Sequence, residues 1–165
     1  MHRWLNDPEV VRWWEGDDVS WDGVVADYAP ANQGPEEHGI ALNHGEPIGW
    51  IQCDDVSNWP EECEDWVELG ADPGCAGIDY LVGERGERGS GLGSAMIAAF
   101  VEQVVFGRHP HWHQVGADPF EANIASWRAL EKAGFTAAGL IEPDEGDTDG
   151  PAKLMLLDRP SAQRS

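Results

Sequence analysis

Arg88-Gly89-Ser90-Gly91-Leu92-Gly93-Ser94 follows an apolar run, Gly77-Ile78-Asp79-Tyr80-Leu81-Val82, and precedes a helical pattern. Residues of these types at this spacing can bind an anion. Glycines let successive backbone N–H groups turn toward one phosphate, and the start of a helix adds free donors and the positive end of its dipole. A glycine turn of this kind also serves close packing of a helix on a strand. No lysine follows Leu92-Gly93-Ser94, so a P-loop is excluded. A dinucleotide fold needs its fingerprint in the first βα unit and an acidic residue about twenty positions on. Here the loop lies mid-chain, and His109-Pro110-His111 occupies that later region. A cradle for one pyrophosphate remains, and coenzyme A carries one.

Arg88-Gly89-Ser90-Gly91-Leu92-Gly93 matches the Gln/Arg-x-x-Gly-x-Gly/Ala signature of the GNAT acetyltransferase superfamily, and Asn123 through Phe135 resembles that superfamily's second signature. Trp4-Leu5-Asn6, Val10-Val11, Trp13-Trp14, Gly45-Glu46-Pro47-Ile48-Gly49, Asp72-Pro73-Gly74, Gly77-Ile78-Asp79, Asp118-Pro119 and Gly150-Pro151-Ala152 occur in the same order in aminoglycoside 6'-N-acetyltransferases. The resemblance covers nearly the whole chain. It implies an α/β (α+β) GNAT fold, a central mixed and mostly antiparallel sheet flanked by helices. Since GNAT domains open with a strand and this chain opens at His2-Arg3-Trp4 in helical pattern, either that first strand is absent or the start given falls short of it, and a vacant sheet edge suits a homodimer as well as a monomer.

Acetyl transfer to an amine needs a neutral nitrogen, so a carboxylate must take the ammonium proton, directly or through water. Asp79 is the first candidate, since alternation along its strand aims it away from Ile78 and Tyr80, and the resemblance places the Gly-Ile-Asp aspartate beside the reacting amine. The resemblance also implies a second acid near Trp66; Glu64, two residues before it, is the candidate, with Asp65 adjacent and Glu68 and Asp72 competing. Asp118 matches a position that binds substrate amino groups. Trp13, Trp14 and Trp66 complete the expected substrate side. On the cofactor side the resemblance implies Tyr80, Leu81, Val82, Arg88, Gly89, Ser90, Gly91, Leu92, Gly93, Ser94 and Asn123, with a backbone N–H near Leu81 or Val82 polarising the thioester of acetyl-coenzyme A. Asn123 is a helix cap as readily as a pantetheine ligand. Leu130 stands where the family often has the tyrosine that protonates the departing thiolate, so that proton has no obvious source.

Helix and strand periodicity must position these groups. Trp4 to Trp14 reads as a short helical segment around Pro8, and Ser20 caps a helix through Tyr28. The tryptophans there suit either core or aromatic walls for a cationic sugar. Strands are expected at His38–Leu42, Pro47–Cys53, Ala76–Val82, His111–Ala117, Phe135–Leu140 and Ala152–Leu157. Helices are expected at Ser90–Phe106 and Asn123–Lys132, and Asp54–Pro73 reads as a long loop with one helical turn at most. Residues 1–165 are expected to form a single domain, with 158–165 as a frayed tail.

The 165 residues are 41% hydrophobic, enough for one core. No apolar stretch reaches the length of a membrane span and the start lacks a signal-peptide pattern, so a cytoplasmic location is expected. Cys53, Cys63 and Cys75 lack zinc spacing and read as reduced thiols; His111 and His113 lack a confirming acid or cysteine, so no metal is expected. Asp and Glu number 31 against 10 Lys and Arg, a formal net charge of −21. That field excludes nucleic acid as a natural partner and attracts polycations, though a solvated acidic surface alone accounts for it. An aminoglycoside is such a polycation. Coenzyme A is an anion, and local backbone donors together with Arg85 or Arg88 must meet it. Acylation of a hydroxylysine-type siderophore precursor is a second reading, which Asp79 opposes because those relatives resemble Gly-Ile-His at the strand. A non-catalytic module that binds coenzyme A or sequesters cationic drugs is a third.

Overall fold

The computed structural model describes all residues except 15–17, 32–33, 84–85, 87, 144–149 and 162–165. Three short helices open it: α1 (His2–Leu5), α2 (Pro8–Val11) and α3 (Trp21–Tyr28). Asp7 caps α2 by accepting the Glu9 N–H at 3.0 Å, and Ser20 caps α3 by accepting the Gly23 N–H at 3.2 Å. The strands are β1 (Glu37–Asn43), β2 (Glu46–Asp55), β3 (Ala76–Val82), β4 (Gln114–Ala117), β5 (Thr136–Ile141) and β6 (Ala152–Asp158). Between them lie α4 (Pro60–Glu68), α5 (Leu92–Phe100), a π-helical segment (Val101–Val105) that runs into α6 (Phe106–Arg108), and α7 (Ile124–Lys132).

These strands form one sheet in the order β1-β2-β3-β4-β6-β5, antiparallel at every pairing except β3 with β4. As expected, no strand precedes the opening helices among the described residues, and β1 is an edge. Helices cover both faces. Ile51, Cys53, Ile78, Val115, Ala117 and Met155 pack with Ile97, Phe100 and Leu130 of α5 and α7. On the other face Trp50 and Leu81 pack under α1–α3 with Trp4, Leu5, Val10 and Val24, while Trp66 of α4 packs with Val56, Ala71, Cys75 and Leu154. Burial on both sides explains why the middle of β2 reads as an unbroken apolar run rather than an alternation. No described helix is long and apolar enough to cross a membrane.

Three expectations are corrected. Asp54–Pro73 is no loop: β2 continues to Asp55, and α4 starts at Pro60, whose missing N–H costs nothing at a first helical position, with Glu61 and Glu62 in its first turn favoured by the dipole. The strand before Ala117 starts only at Gln114, because His109 Nε2 pairs with Glu37 Oε2 at 2.8 Å and its ring packs on Trp112. Of the tail expected to fray, Asp158 and Arg159 are tied down, and 162–165 lie outside the described residues. Asp158 accepts from Gln114 Nε2 at 2.8 Å, and the Arg159 guanidinium donates to the carbonyls of Phe106, His109 and Trp112.

One contact decides how the sheet meets its cleft. β3 and β4 pair only through Ala76 with Val115 and Gly77 with Gly116, and then part. The indole of Trp66, 1% exposed, lies over that last glycine pair. A Cβ at Gly116 would come within 2.5 Å of the Trp66 ring, whereas one at Gly77 would meet it at 3.7 Å, an ordinary contact. Gly116→Ala should therefore overpack a ring that has no room to move and cost about 1–3 kcal/mol. Urea denaturation of Gly116→Ala beside Gly77→Ala checks this; equal midpoints would contradict it.

Candidate active site

Past Gly77, β3 has β2 on one side and, among the described residues, no strand on the other. The N–H of Gly83 donates to Ile48 O at 2.8 Å. Groups on an antiparallel strand alternate in direction, so Leu81 and Asp79 also turn their amides toward β2, while Ile78, Tyr80 and Val82 turn theirs to the open side. Val82 O accepts from Arg88 Nε at 2.9 Å on that side, which fits the alternation. Of the two amides expected near the thioester, Val82 faces the gap. Leu81 does not, and its side chain is buried under α1–α3.

The glycine loop enters α5 just beyond. Gly89 and Gly91 have φ of 76° and 90°, left-handed values that exclude most side chains, and a Cβ at either would touch nothing within 4 Å. These glycines are therefore needed for their backbone. Gly91 is the N-cap of α5, and no side chain caps it. The first-turn amides of Leu92, Gly93 and Ser94 have no carbonyl four residues back within the helix, the arrangement that receives a phosphate. The Ser90 hydroxyl accepts a long bond from the Leu92 N–H, at 3.4 Å, and the Ser94 hydroxyl donates to Gly91 O. Arg88 plays a different part from the one expected. Its guanidinium donates to Val82 O and Gly83 O and pairs with Asp7 at 3.1 Å and Glu9 at 2.9 Å. Its charge is committed to the N-terminal helices, and the loop presents amides to an anion. Arg85 lies outside the described residues.

On the other face of the sheet a cleft is lined by Gln52, Asp54, Trp59, Glu62, Trp66, Gly77, Ile78, Asp79 and Asp118. Asp79 is exposed there and accepts from Gln52 Nε2 at 2.9 Å. The Trp66 indole donates to Asp118 at 3.1 Å, and the Trp59 indole donates to Asp54. Helix phase explains which acids of α4 take part. Trp59, Glu62 and Trp66 fall at i, i+3 and i+7 on one side, whereas Glu64, two residues from Trp66, is turned about half a revolution away. Glu64 and Asp65 are accordingly exposed and absent from the cleft wall; Glu62 takes the place expected of Glu64. Gln52, Asp54, Trp59 and Glu62 were missed by sequence reasoning, and Pro60-Glu61-Glu62 was the available signal of a helix that would have phased them.

The aromatic pair divides. Trp14 donates its indole N–H to the Tyr28 hydroxyl at 3.0 Å and packs edge-on against Trp50, a core role. Trp13 is half-buried, its ring 6.3 Å from Phe120, two residues beyond Asp118. Asn123 caps α7, its Oδ1 accepting from the Ser126 N–H at 3.4 Å, so capping accounts for it.

Crowding of carboxyls has an electrostatic consequence. Burial pushes Glu62 up to about 8, with the negative charges of Asp118, Asp79, Asp54 and Asp65 adding to it. Burial likewise raises Asp54 to about 6; Trp59 opposes this by hydrogen bonding, and Asp79 reinforces it. A cation entering the cleft would reverse this penalty by favouring the ionised forms.

Residues 1–142 match the acetyltransferase (GNAT) domain family. The chain is 31% identical over 169 residues to aminoglycoside N(6')-acetyltransferase type 1 of Klebsiella pneumoniae, covering all of this chain and 80% of that protein. A kanamycin resistance protein of Rhizobium radiobacter is 33% identical over 100 residues, 61% of this chain and 87% of that one. Among solved structures, aminoglycoside acetyltransferase AAC(6')-Ib in complex with paromomycin and acetyl-coenzyme A superposes with a TM-score of 0.77 at 32% identity, covering 99% of this chain and 90% of that one. The same enzyme with coenzyme A and kanamycin gives 0.75 at 31%, covering 96% and 87%. The chain belongs to the GNAT acetyltransferase family. Within that family its relatives are aminoglycoside 6'-N-acetyltransferases.

Two expected outcomes follow from this geometry. Gly91→Ala forces an L-residue to φ of 90°, which costs about 1–2 kcal/mol, and coenzyme A affinity measured by calorimetry should fall with it. The folded protein holds the Glu62 and Asp54 protons more tightly than an unfolded chain, which releases them near 4.5 and 3.8. Stability should therefore decline as pH rises from about 4 to about 8. Glu62→Gln should flatten the upper part of that decline in urea midpoints taken across the range, and an unchanged slope would contradict the assignment.

Proposed function

We propose that this chain transfers acetyl from acetyl-coenzyme A to the 6'-amine of aminoglycoside antibiotics and thereby confers resistance to them. The observation that carries the reading is the placement of Asp79 among three other cleft carboxyls, on the strand whose opposite edge offers unpaired amides beside the glycine loop. Acetyl-coenzyme A, when bound, supplies an acyl carbon activated by its thioester. The first turn of α5 holds the pyrophosphate, with Gly89 and Gly91 shaping the approach. Tyr80 and Val82 direct amides along the gap, and Val82 polarises the thioester carbonyl. Asp79, oriented by Gln52, takes the ammonium proton, directly or through a water.

Glu62, Asp54 and Asp118 meet the other ammonium groups with charge-assisted hydrogen bonds, and Trp66, Trp59 and Trp13 wall the sugar. Transfer is direct within a ternary complex. Cys53 and Cys75 are fully buried, and burial pushes both thiols up to about 12, so neither offers a thiolate to carry the acetyl group.

Thiol release from acetyl-coenzyme A in the presence of kanamycin or tobramycin tests the reading, and its absence with both would favour a binding module without turnover. Asp79→Asn should lower kcat/KM by about 10²–10⁴-fold. An unaltered rate would remove Asp79 from the chemistry.

A further inference from the structure

The strand that carries Asp79 carries a second protic group one residue on. Alternation sends Asp79 to the cleft face and Tyr80 to the opposite face, beneath α7. There the Tyr80 phenol oxygen lies 2.6 Å from Ser126 Oγ and 3.4 Å from Ser126 O. Ser126 sits in the first turn of α7, held through its own N–H by Asn123. The two hydroxyls thus span from β3 to α7 at a level where β4 has already parted from β3. One turn farther along the same side of α7 is Leu130, wholly buried and without a proton to give. Burial raises the Tyr80 phenol well above its ordinary range, so it stays protonated and remains a donor.

The faces of the sheet determine which group meets which. An amine deprotonated by Asp79 approaches an acyl carbon in the gap from the cleft face, and the sulfur then leaves toward the other face, where Tyr80 and Ser126 lie. We propose that the paired hydroxyls of Tyr80 and Ser126 receive the coenzyme A sulfur as it departs, a role that rests on the gap being the donor site. The carbon–nitrogen bond forms, the carbon–sulfur bond breaks, and its electron pair goes to sulfur. The amine proton passes to Asp79. Tyr80 donates a hydrogen bond to the sulfur while Ser126 donates to the phenol oxygen, and the thiolate takes its proton from solvent. The thiolate of a thiol with a pKa of about 8.5 is a weaker base than a phenolate, so stabilising the charge suffices and no full proton transfer from Tyr80 is required.

The pair is testable without turnover. Titrating the thiol of bound coenzyme A by its thiolate ultraviolet absorbance should show it ionising about one pH unit lower in the native protein than in Tyr80→Phe, a roughly tenfold change in the ionisation constant. Ser126→Ala should fall between, and affinity for a coenzyme A analogue lacking sulfur should be the same in all three. Single-turnover transfer to kanamycin should slow by about 10²-fold in Tyr80→Phe, with the aminoglycoside KM unchanged. If Tyr80→Phe does not fold, Ser126→Ala at its half-buried position carries the same comparison. Identical thiol ionisation in native and variant proteins would overturn the proposal while leaving the donor site intact. Failure of the native protein to bind either coenzyme A or its sulfur-free analogue would overturn the donor site itself.

Discussion

Trp66 resting on the Gly77–Gly116 pair is the contact on which the rest of the cleft depends. Its ring occupies space that any side chain at Gly116 would claim, at the point where the two parallel strands stop pairing. The same indole holds Asp118 through its N–H, and the same helix presents Glu62 one turn earlier. Acids from α4 and from the end of β4 are thereby fixed relative to Asp79 of β3. Each of these groups belongs to a different element, and a single buried ring sets their spacing. A smaller side chain at 66 would leave a void over two glycines and remove the indole hydrogen bond to Asp118 at once.

The charge of the protein then looks less paradoxical for a chain that handles an anionic donor. An arginine in the loop would be the expected answer to a pyrophosphate, yet Arg88 is bound by Asp7 and Glu9 and by two carbonyls. What the loop offers an anion is an array of amides and a helix dipole, which act at short range and depend little on net charge. On the proposed reading, acceptor recognition uses the opposite resource. Carboxyls gathered in one partly buried cleft raise one another's proton affinity, and only a ligand bearing several positive charges relieves them together. On that reading the two substrates are met by different physics on opposite sides of one strand.

Much of this was legible in the sequence, and the division is instructive. The glycine loop, Asp79 and the Asn123 cap were readable because each depends on neighbours within a few positions: a left-handed backbone, a strand alternation, a side chain reaching three residues ahead. Glu62 was not, because Asp54–Pro73 read as a loop, and without a helix there is no phase to separate Glu62 from Glu64. Arg88 was misassigned because its carboxylate partners lie about eighty residues earlier in the chain. Trp14 and Trp13 are adjacent and chemically identical. Only the positions of Trp50, Tyr28 and Phe120 decide that one belongs to the core and the other stands near the cleft.

Parity along β3 joins these observations. Because side chains and amides both alternate with a period of two, residues 79, 80 and 82 can serve three tasks without competing: a carboxylate on one face, a phenol on the other, and an amide in the plane of the gap. A strand paired on both sides could not do this, since its amides would be spent in the ladder. With the register held at Gly77, an insertion of one residue between Gly77 and Asp79 would exchange the faces, turning Asp79 under α7 and Tyr80 into the cleft. On the proposed reading the early end of the β3–β4 pairing serves the chemistry as much as the fold. It leaves an edge inside the sheet, and Trp66, Arg88 and Ser126 each hold one side of that opening.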